Sequence, residues 1–170
     1  VKDIEVLITP FRARNGFTPQ VNITITNRGT IAVNNFNLSL HAPIDWTIQN
    51  TTPIAQNTSD SILWNNLSLS VNQSKTYIAN LTVPASATIN TPYSITAKLH
   101  QITDDVNLEN NTNTYSSVIT GSFDPNDKLV TPETLAPNYA DGTELIYTVR
   151  FQNTGNDTAF NVVVLDTILE

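Results

Sequence analysis

Glu144-Leu-Ile-Tyr-Thr-Val-Arg-Phe-Gln-Asn-Thr-Gly-Asn-Asp-Thr-Ala-Phe-Asn-Val-Val-Val-Leu-Asp166 contains two runs in which apolar and polar residues alternate. Successive side chains of a strand point to opposite faces, so each run places its apolar residues on one face. Asn153-Thr154-Gly155, between the runs, consists of residue types that favour turns. The second run begins at Phe160. The stretch therefore predicts a hairpin-like pair of strands from a β-sandwich.

The same pattern occurs a second time, near the beginning of the chain. Its apolar positions are Val21, Ile23 and Ile25 in the first run and Phe36, Leu38 and Leu40 in the second. Asn27 and Gly29 correspond to Asn153 and Gly155, and the later copy has a loop that is shorter by two residues. The chain therefore contains an internal repeat.

Further alternating runs follow the first copy. They begin near Trp46, Ile62, Tyr77, Tyr93 and Tyr115. With Asp3–Thr9 and the first copy they make about eight short strands separated by turn signals, a pattern typical of an immunoglobulin-like sandwich of about 100 residues. We predict an all-β chain, with an immunoglobulin-like antiparallel β-sandwich over residues 1–120. Residues 121–170 are predicted to form a linker and the first strands of a second, incomplete sandwich.

The second copy ends after two or three strands, which are too few to bury both faces of a sheet. Two explanations are open: the natural chain continues, or a neighbouring chain donates the missing strands, as in pilus-like filaments. The sequence begins with Val1 instead of Met. We therefore expect it to be a processed product or a piece of a longer protein.

The composition excludes several classes of function. Fifteen acidic and eight basic residues give a net charge of −7, which disfavours binding to nucleic acid. The sequence contains no Cys, so it has neither disulfides nor thiolate metal sites; this fits a cytosolic protein or a bacterial exported one. No apolar run approaches the roughly 20 residues that a membrane-spanning helix needs.

Two motifs carry a family resemblance. Gly121-Ser-Phe-Asp-Pro-Asn-Asp-Lys128 and the stretch Asp141–Thr167 together resemble a conserved-repeat module of large secreted proteins of Bacteroidota, many of which are type IX secretion substrates. Residues 1–120 are similar to the cell-adhesion-related immunoglobulin-like domains of bacteria, through Asn27-Arg28-Gly29, Trp64 and the loop Asp104–Asn111. The resemblance implies an extracellular, multi-domain protein, attached to the cell surface or released, with no enzymatic chemistry in these modules.

Asp124, Asn126 and Asp127 form a candidate calcium site at the boundary between the two copies. Clustered side-chain oxygens are the ligands that Ca²⁺ requires. The residues that would complete the shell are Asp104, Asp105, Glu109 or Asp141. The alternative is a capped turn, in which the same side chains bond to backbone N–H groups and no cofactor is held.

Three Asp-Ser/Thr-apolar triplets are candidate sites of glycosylation. The resemblance to exported proteins of Bacteroidota implies O-glycans at Ser61, Thr158 and Thr167. Asn-x-Ser/Thr sequons are also frequent, but a chain this rich in Asn, Ser and Thr produces them by composition alone.

No catalytic motif is present in the sequence. The two histidines, His41 and His100, have no partner at metal-ligand spacing, and no nucleophile elbow, phosphate loop or dinucleotide fingerprint occurs. Trp46, Trp64 and Tyr139 could form a platform for sugar stacking, although Trp64 lies in an apolar run that is typical of a core strand. We therefore expect no enzyme.

The function predicted from these features is structural or adhesive: a module of an exported cell-surface protein that spaces or links other domains. Its partners would be those domains, neighbouring copies, or a cell-surface or polysaccharide ligand. Two alternatives remain open. One is an extracellular filament subunit assembled by strand complementation, and the other is a carbohydrate-binding module of a secreted enzyme.

Overall fold

The computed structural model of the protein describes residues 1–58, 61–122, 127–131 and 144–165. The chain divides into two compact units, Val1–Thr120 and Gly121–Glu170. Across the described residues the regular structure is almost entirely β, and no helix is long and apolar enough to cross a membrane.

Two antiparallel sheets build the first unit. Its strands are β1 (Ile4–Ile8), β2 (Gln20–Asn27), β3 (Val33–His41), β4 (Thr47–Thr52), β5 (Gln56–Asn57), β6 (Ser61–Leu69), β7 (Ser74–Thr82), β8 (Pro92–His100) and β9 (Thr112–Val118). A short 3₁₀ helix, Leu108–Asn111, precedes β9. One sheet has the order β1-β2-β7-β4 and the other β5-β6-β3-β8-β9.

The core lies between the two sheets. It is formed by apolar residues that alternate along the longer strands, among them Val21, Ile23 and Ile25 of β2 and Phe36, Leu38 and Leu40 of β3, all fully buried. These strands thus present one apolar face inward and one largely polar face outward. The predicted all-β, immunoglobulin-like sandwich is confirmed.

The prediction of a hairpin-like pair is wrong for the first copy of the repeat. β2 and β3 lie in opposite sheets and do not pair with each other. Alternation fixes which face of a strand is buried, but it does not fix the lateral neighbour. These two apolar faces meet across the core, so the intervening residues form an arch between the sheets instead of a hairpin turn.

Asn27 holds this arch together from inside. Its Nδ2 donates hydrogen bonds to the carbonyl oxygens of Ile31, at 2.9 Å, and Leu69, at 3.2 Å, and its Oδ1 accepts one from the Gly29 N–H at 2.9 Å. The side chain is fully buried. A buried segment with irregular backbone needs such partners, because its own N–H and C=O groups have no strand neighbour.

Gly29 lets the arch pass close to the first residues of the chain. A β-carbon at this position would overlap the Val1 carbonyl oxygen and lie 2.8 Å from the Asp3 nitrogen. Thr30 N–H donates to the Val1 carbonyl at 2.8 Å, so arch and N-terminal segment are directly bonded. Glycine is required here by close backbone approach.

Two antiparallel strands make up the regular structure described in the second unit, β10 (Asp127–Thr131) and β11 (Ile146–Arg150). The strand predicted from the alternation after Glu144 is therefore present, but it pairs with β10 and not with the run that follows Phe160. Residues 160–165 are not in a strand, which corrects the prediction of a pair. In the first unit the equivalent run, β3, is held between β6 and β8, and the described part of the second unit has no strands in those positions.

The second unit nevertheless contains an arch with hydrogen bonds equivalent to those of the first. Asn153 Nδ2 donates to the Asp157 carbonyl at 2.7 Å, and Asn153 Oδ1 accepts from the Gly155 N–H at 3.0 Å. The Asp157 N–H donates to the Gly121 carbonyl at 3.2 Å, as Thr30 does to Val1. The internal repeat in the sequence therefore corresponds to a repeated structure: a first strand, a second strand and an arch that folds back on the segment before the first strand.

Candidate functional site

The chain enters the first unit at one end of the sandwich and leaves it at the other. Val1 is bonded to Thr30 of the arch, whereas the Thr120 N–H donates to the Ala13 carbonyl at 2.8 Å, in the connection that follows the far end of β1. The longest strands have nine residues, so the two ends lie about 30 Å apart at about 3.3 Å per residue. This geometry is suited to a module inserted in a line of domains.

The acidic loop before the 3₁₀ helix is hydrogen-bonded to the N-terminal segment, where the chain enters the first unit. Asp105 is buried, and its carboxylate accepts hydrogen bonds from the Ile4 N–H at 3.1 Å and the Asn107 N–H at 2.9 Å. Asn110 Nδ2 donates to Asp3 Oδ1 at 2.8 Å. Of these side chains, Asp105 was singled out in the sequence as a further calcium ligand. Together they join the loop to the start of the chain, and Asp105 satisfies two backbone donors.

The candidate calcium site is described only in part. Asp127 is exposed at the start of β10, and its Oδ2 lies 3.5 Å from Arg150 Nη1. Asp124, Asn126 and Asp141 lie outside the described residues, so the calcium site remains a prediction. Within the described ranges, no group of three or more His, Asp or Glu side chains is placed to hold a metal ion.

The glycosylation candidates differ in their surroundings. Ser61 opens β6, is half-buried, and has its Oγ 2.9 Å from His41 Nδ1. Thr158 has an exposed side chain in the second unit, and its N–H donates to Asp157 Oδ1 at 2.7 Å. Thr167 lies outside the described residues. Thr158 is the more accessible of the two described acceptors, and all three sites remain predictions.

Both histidines lie on the outer face of the five-stranded sheet, and each faces a serine. His100 Nε2 lies 2.8 Å from the Oγ of Ser39, a pairing across β3 and β8 that the sequence spacing did not predict. Burial lowers the pKa of His100 below its ordinary value, and the charges of Lys98 and His41 lower it further.

This shift predicts a pH-dependent stability. Since the folded state binds the proton of His100 more weakly than the unfolded state, the free energy of unfolding should decrease as the pH falls below about 6.5. His100→Gln, which keeps a polar side chain but cannot titrate, should show a smaller decrease between pH 7.5 and pH 5.5. Urea unfolding at both pH values would measure this, and equal decreases in the two proteins would contradict the assignment to His100.

The aromatic platform suggested by the sequence is not formed by the two tryptophans. Trp64 is buried and its Nε1 donates to the Pro53 carbonyl at 2.8 Å, which confirms its expected place in the core. Trp46 is also buried and packs against Tyr93, with ring centroids 5.1 Å apart. Neither tryptophan presents an open ring face to solvent, and Tyr139 lies outside the described residues.

Comparison with known protein families gives a match in the last third of the chain. Residues 124–170 match the model of the DUF7619 family, a domain of unknown function. No curated protein matches the chain.

Among solved structures, the chain is similar to the CARDB domain of the PF1109 protein from Pyrococcus furiosus, solved in complex with di-metal ions. The TM-score is 0.50 at 17% identity, over 69% of this chain and 88% of that one. A non-cellulosomal cohesin from the archaeon Archaeoglobus fulgidus has a TM-score of 0.46 at 14% identity, over 70% of this chain and 92% of that one. The two antiparallel sheets and the similarity to the CARDB domain define the fold of the first unit as an immunoglobulin-like β-sandwich.

Proposed function

We propose that the protein is a non-catalytic structural and adhesive module of an exported bacterial cell-surface protein, in which it spaces or links other domains. The observation that carries this proposal is the path of the chain, which enters and leaves the first unit at opposite ends. Each such unit would add about 30 Å to a row of domains. The start of a second arch after Gly121 supports a tandem arrangement of similar units.

The construction of the first unit suits a spacer. Its two sheets enclose one continuous core, and the entry segment is bonded both to the arch and to the acidic loop. The net charge of −7 of the whole chain disfavours nucleic-acid partners. Contacts with other domains or neighbouring copies would then use the strand edges and the loops at the two ends.

The extracellular location is proposed from the motifs Gly121–Lys128 and Asp141–Thr167 and is tested on intact cells. Antibodies raised against residues 1–170 should label unpermeabilised cells of the source organism, and treatment of the cells with protease should remove the signal. A cytosolic protein detected in the same cells is the control and should be labelled only after permeabilisation. Labelling of the module that requires permeabilisation as well would contradict the proposal.

A filament assembled by strand complementation is the second candidate, and exposed apolar residues in the second unit favour it. Val162 and Val164 are more than half exposed, whereas the equivalent Leu38 and Leu40 of the first unit are fully buried between neighbouring strands. A strand from a neighbouring chain would cover such residues. Native mass spectrometry across a range of concentrations tests this candidate: growing assemblies support it, and a monomer at every concentration contradicts it.

A further inference from the structure

A pocket opens at the exit end of the first unit, away from the acidic loop. It has a volume of about 480 Å³ and is walled by three segments that are distant in sequence. The first is the β3–β4 connection with Pro43, Asp45 and Trp46, the second is the β7–β8 connection with Thr88 and Thr91, and the third is the start of β8 together with Ile119. The size falls in the range of small-ligand sites, roughly 300–1,000 Å³.

Backbone hydrogen bonds fix the walls of this pocket. The Trp46 N–H donates to the Pro43 carbonyl at 3.0 Å, which closes the turn that places Asp45 and Trp46. The Ile119 N–H donates to the Thr91 carbonyl at 2.8 Å, so the β7–β8 connection is anchored to the end of β9. The pocket is therefore preformed, which reduces the entropy lost when a ligand binds.

Trp46 supplies a hydrogen-bond donor to the pocket. Its side chain is only 5% exposed, no described residue accepts a hydrogen bond from its indole N–H, and the nitrogen is not sealed from solvent. The N–H of Trp64 is instead bonded to the Pro53 carbonyl. A molecule in the pocket that Trp46 lines would replace water as the acceptor of the Trp46 N–H.

Other polar groups of the lining are available in the same way. The Asp45 carboxylate and the hydroxyls of Thr88 and Thr91 form no hydrogen bond or ion pair with any part of the chain that the structure describes. The same lining also includes the apolar residues Pro43, Pro92 and Ile119. Among the described residues that line the pocket, none is a Lys or Arg.

This combination identifies the chemical class of the ligand. The lone carboxylate and the lack of a cation disfavour an anionic ligand. A ligand with several hydroxyl groups and an apolar C–H surface would pair with Asp45, Thr88, Thr91 and the Trp46 N–H while it covers the prolines. A neutral sugar has this structure. We propose that the pocket binds a neutral glycan of one or a few sugar residues, end-on and without a stacking platform.

Saturation-transfer NMR on the full chain tests the proposal. The probes are glucose, galactose, mannose, xylose and N-acetylglucosamine, each as the monosaccharide and as a β-linked disaccharide. At least one should bind, and the corresponding uronic acid should bind more weakly because Asp45 repels its carboxylate. A protein that binds none of these neutral sugars would overturn the proposal.

Two variants test whether the sugar binds in this pocket. Asp45→Asn is an isosteric change at an exposed side chain, and Trp46→Phe removes the N–H donor but keeps an aromatic ring. Each should weaken binding roughly tenfold, the effect of one lost hydrogen bond to a buried or charged group. Asp104→Asn, in the loop at the opposite end of the unit, is the matched control and should leave binding unchanged. Equal affinities for the wild type and Asp45→Asn, with the fold intact, would also overturn the proposal.

The experiments test the proposed location and the proposed sugar binding independently. If the module is exposed on cells but binds no neutral sugar, the proposed surface role stands and the sugar-binding proposal is contradicted. If the module binds a sugar but is found only inside cells, the sugar-binding proposal stands and the surface role is contradicted.

Discussion

Asn27→Ala is expected to lower the free energy of unfolding of the first unit by about 3 kcal/mol, because it leaves several buried backbone groups without their partner. The carbonyls of Ile31 and Leu69 lose their donor, and the Gly29 N–H loses its nearer acceptor. None of these groups regains a bond to water without opening the arch. Urea unfolding followed by tryptophan fluorescence would measure the loss, since both tryptophans of the chain, Trp46 and Trp64, belong to the first unit.

Asn34→Ala is the matched control for this prediction. Asn34 lies in β3, close to the arch, but its side chain is exposed and forms no hydrogen bond with the described residues. Its replacement should change stability by no more than about 0.5 kcal/mol. Similar small losses for both variants would show that the arch does not depend on the Asn27 side chain.

Asn27 also shows where sequence analysis reaches its limit. The sequence marks Asn27-Arg28-Gly29 as a turn, because Asn and Gly favour turns. It cannot show that the side chain points inward to a carbonyl of β6, which is 42 residues away. The repeat in the sequence indicated that the two copies share one local structure, because the same two residue types recur at the same spacing in Asn153 and Gly155. It was predicted as a hairpin turn and is an arch.

The strands themselves were largely predictable, and their partners were not. The alternation of Val21, Ile23 and Ile25 correctly gives the buried face of β2. Period-two alternation has the same form in a hairpin and in two strands that face each other across a core, so it did not separate β2 from β3. The strand β5, Gln56–Asn57, was not predicted, because two polar residues have no pattern and the strand exists only through its pairing with β6.

The same limit applies to the candidate sites: the sequence indicated single residues, but not the contacts that they make in the fold. Asp105 was noticeable in the sequence as part of an acidic loop, but its bond to the Ile4 N–H joins residues 101 positions apart. The exit-end pocket could not be predicted as a cavity, because its walls come from three segments that are distant in the sequence. Trp46 was identified as a candidate for sugar contact, and the structure adds that its indole N–H, and not its ring face, is the group that a ligand would reach.

Leu38→Ala should destabilise the first unit by about 3 kcal/mol, through lost burial and the cavity that remains. Leu38 is fully buried on β3, where it lies opposite Trp64 of β6 and Leu99 of β8. Because β3 is a central strand held on both sides, the surrounding side chains have little freedom to fill the space. Urea unfolding followed by tryptophan fluorescence is again the measurement, with Trp64 beside the site of change.

Leu7→Ala is the same chemical change at an exposed position and serves as its control. Leu7 lies on the edge strand β1, and its side chain is 53% exposed. The loss expected there is below about 1 kcal/mol, since little apolar surface is removed from a packed environment. Equal losses at Leu7 and Leu38 would contradict the assignment of the core to the space between the two sheets. A large difference would show that an apolar residue at the position of Leu38 contributes to stability because neighbouring strands enclose it. We therefore expect Val162, its counterpart in the second unit, to contribute little where no strand covers it.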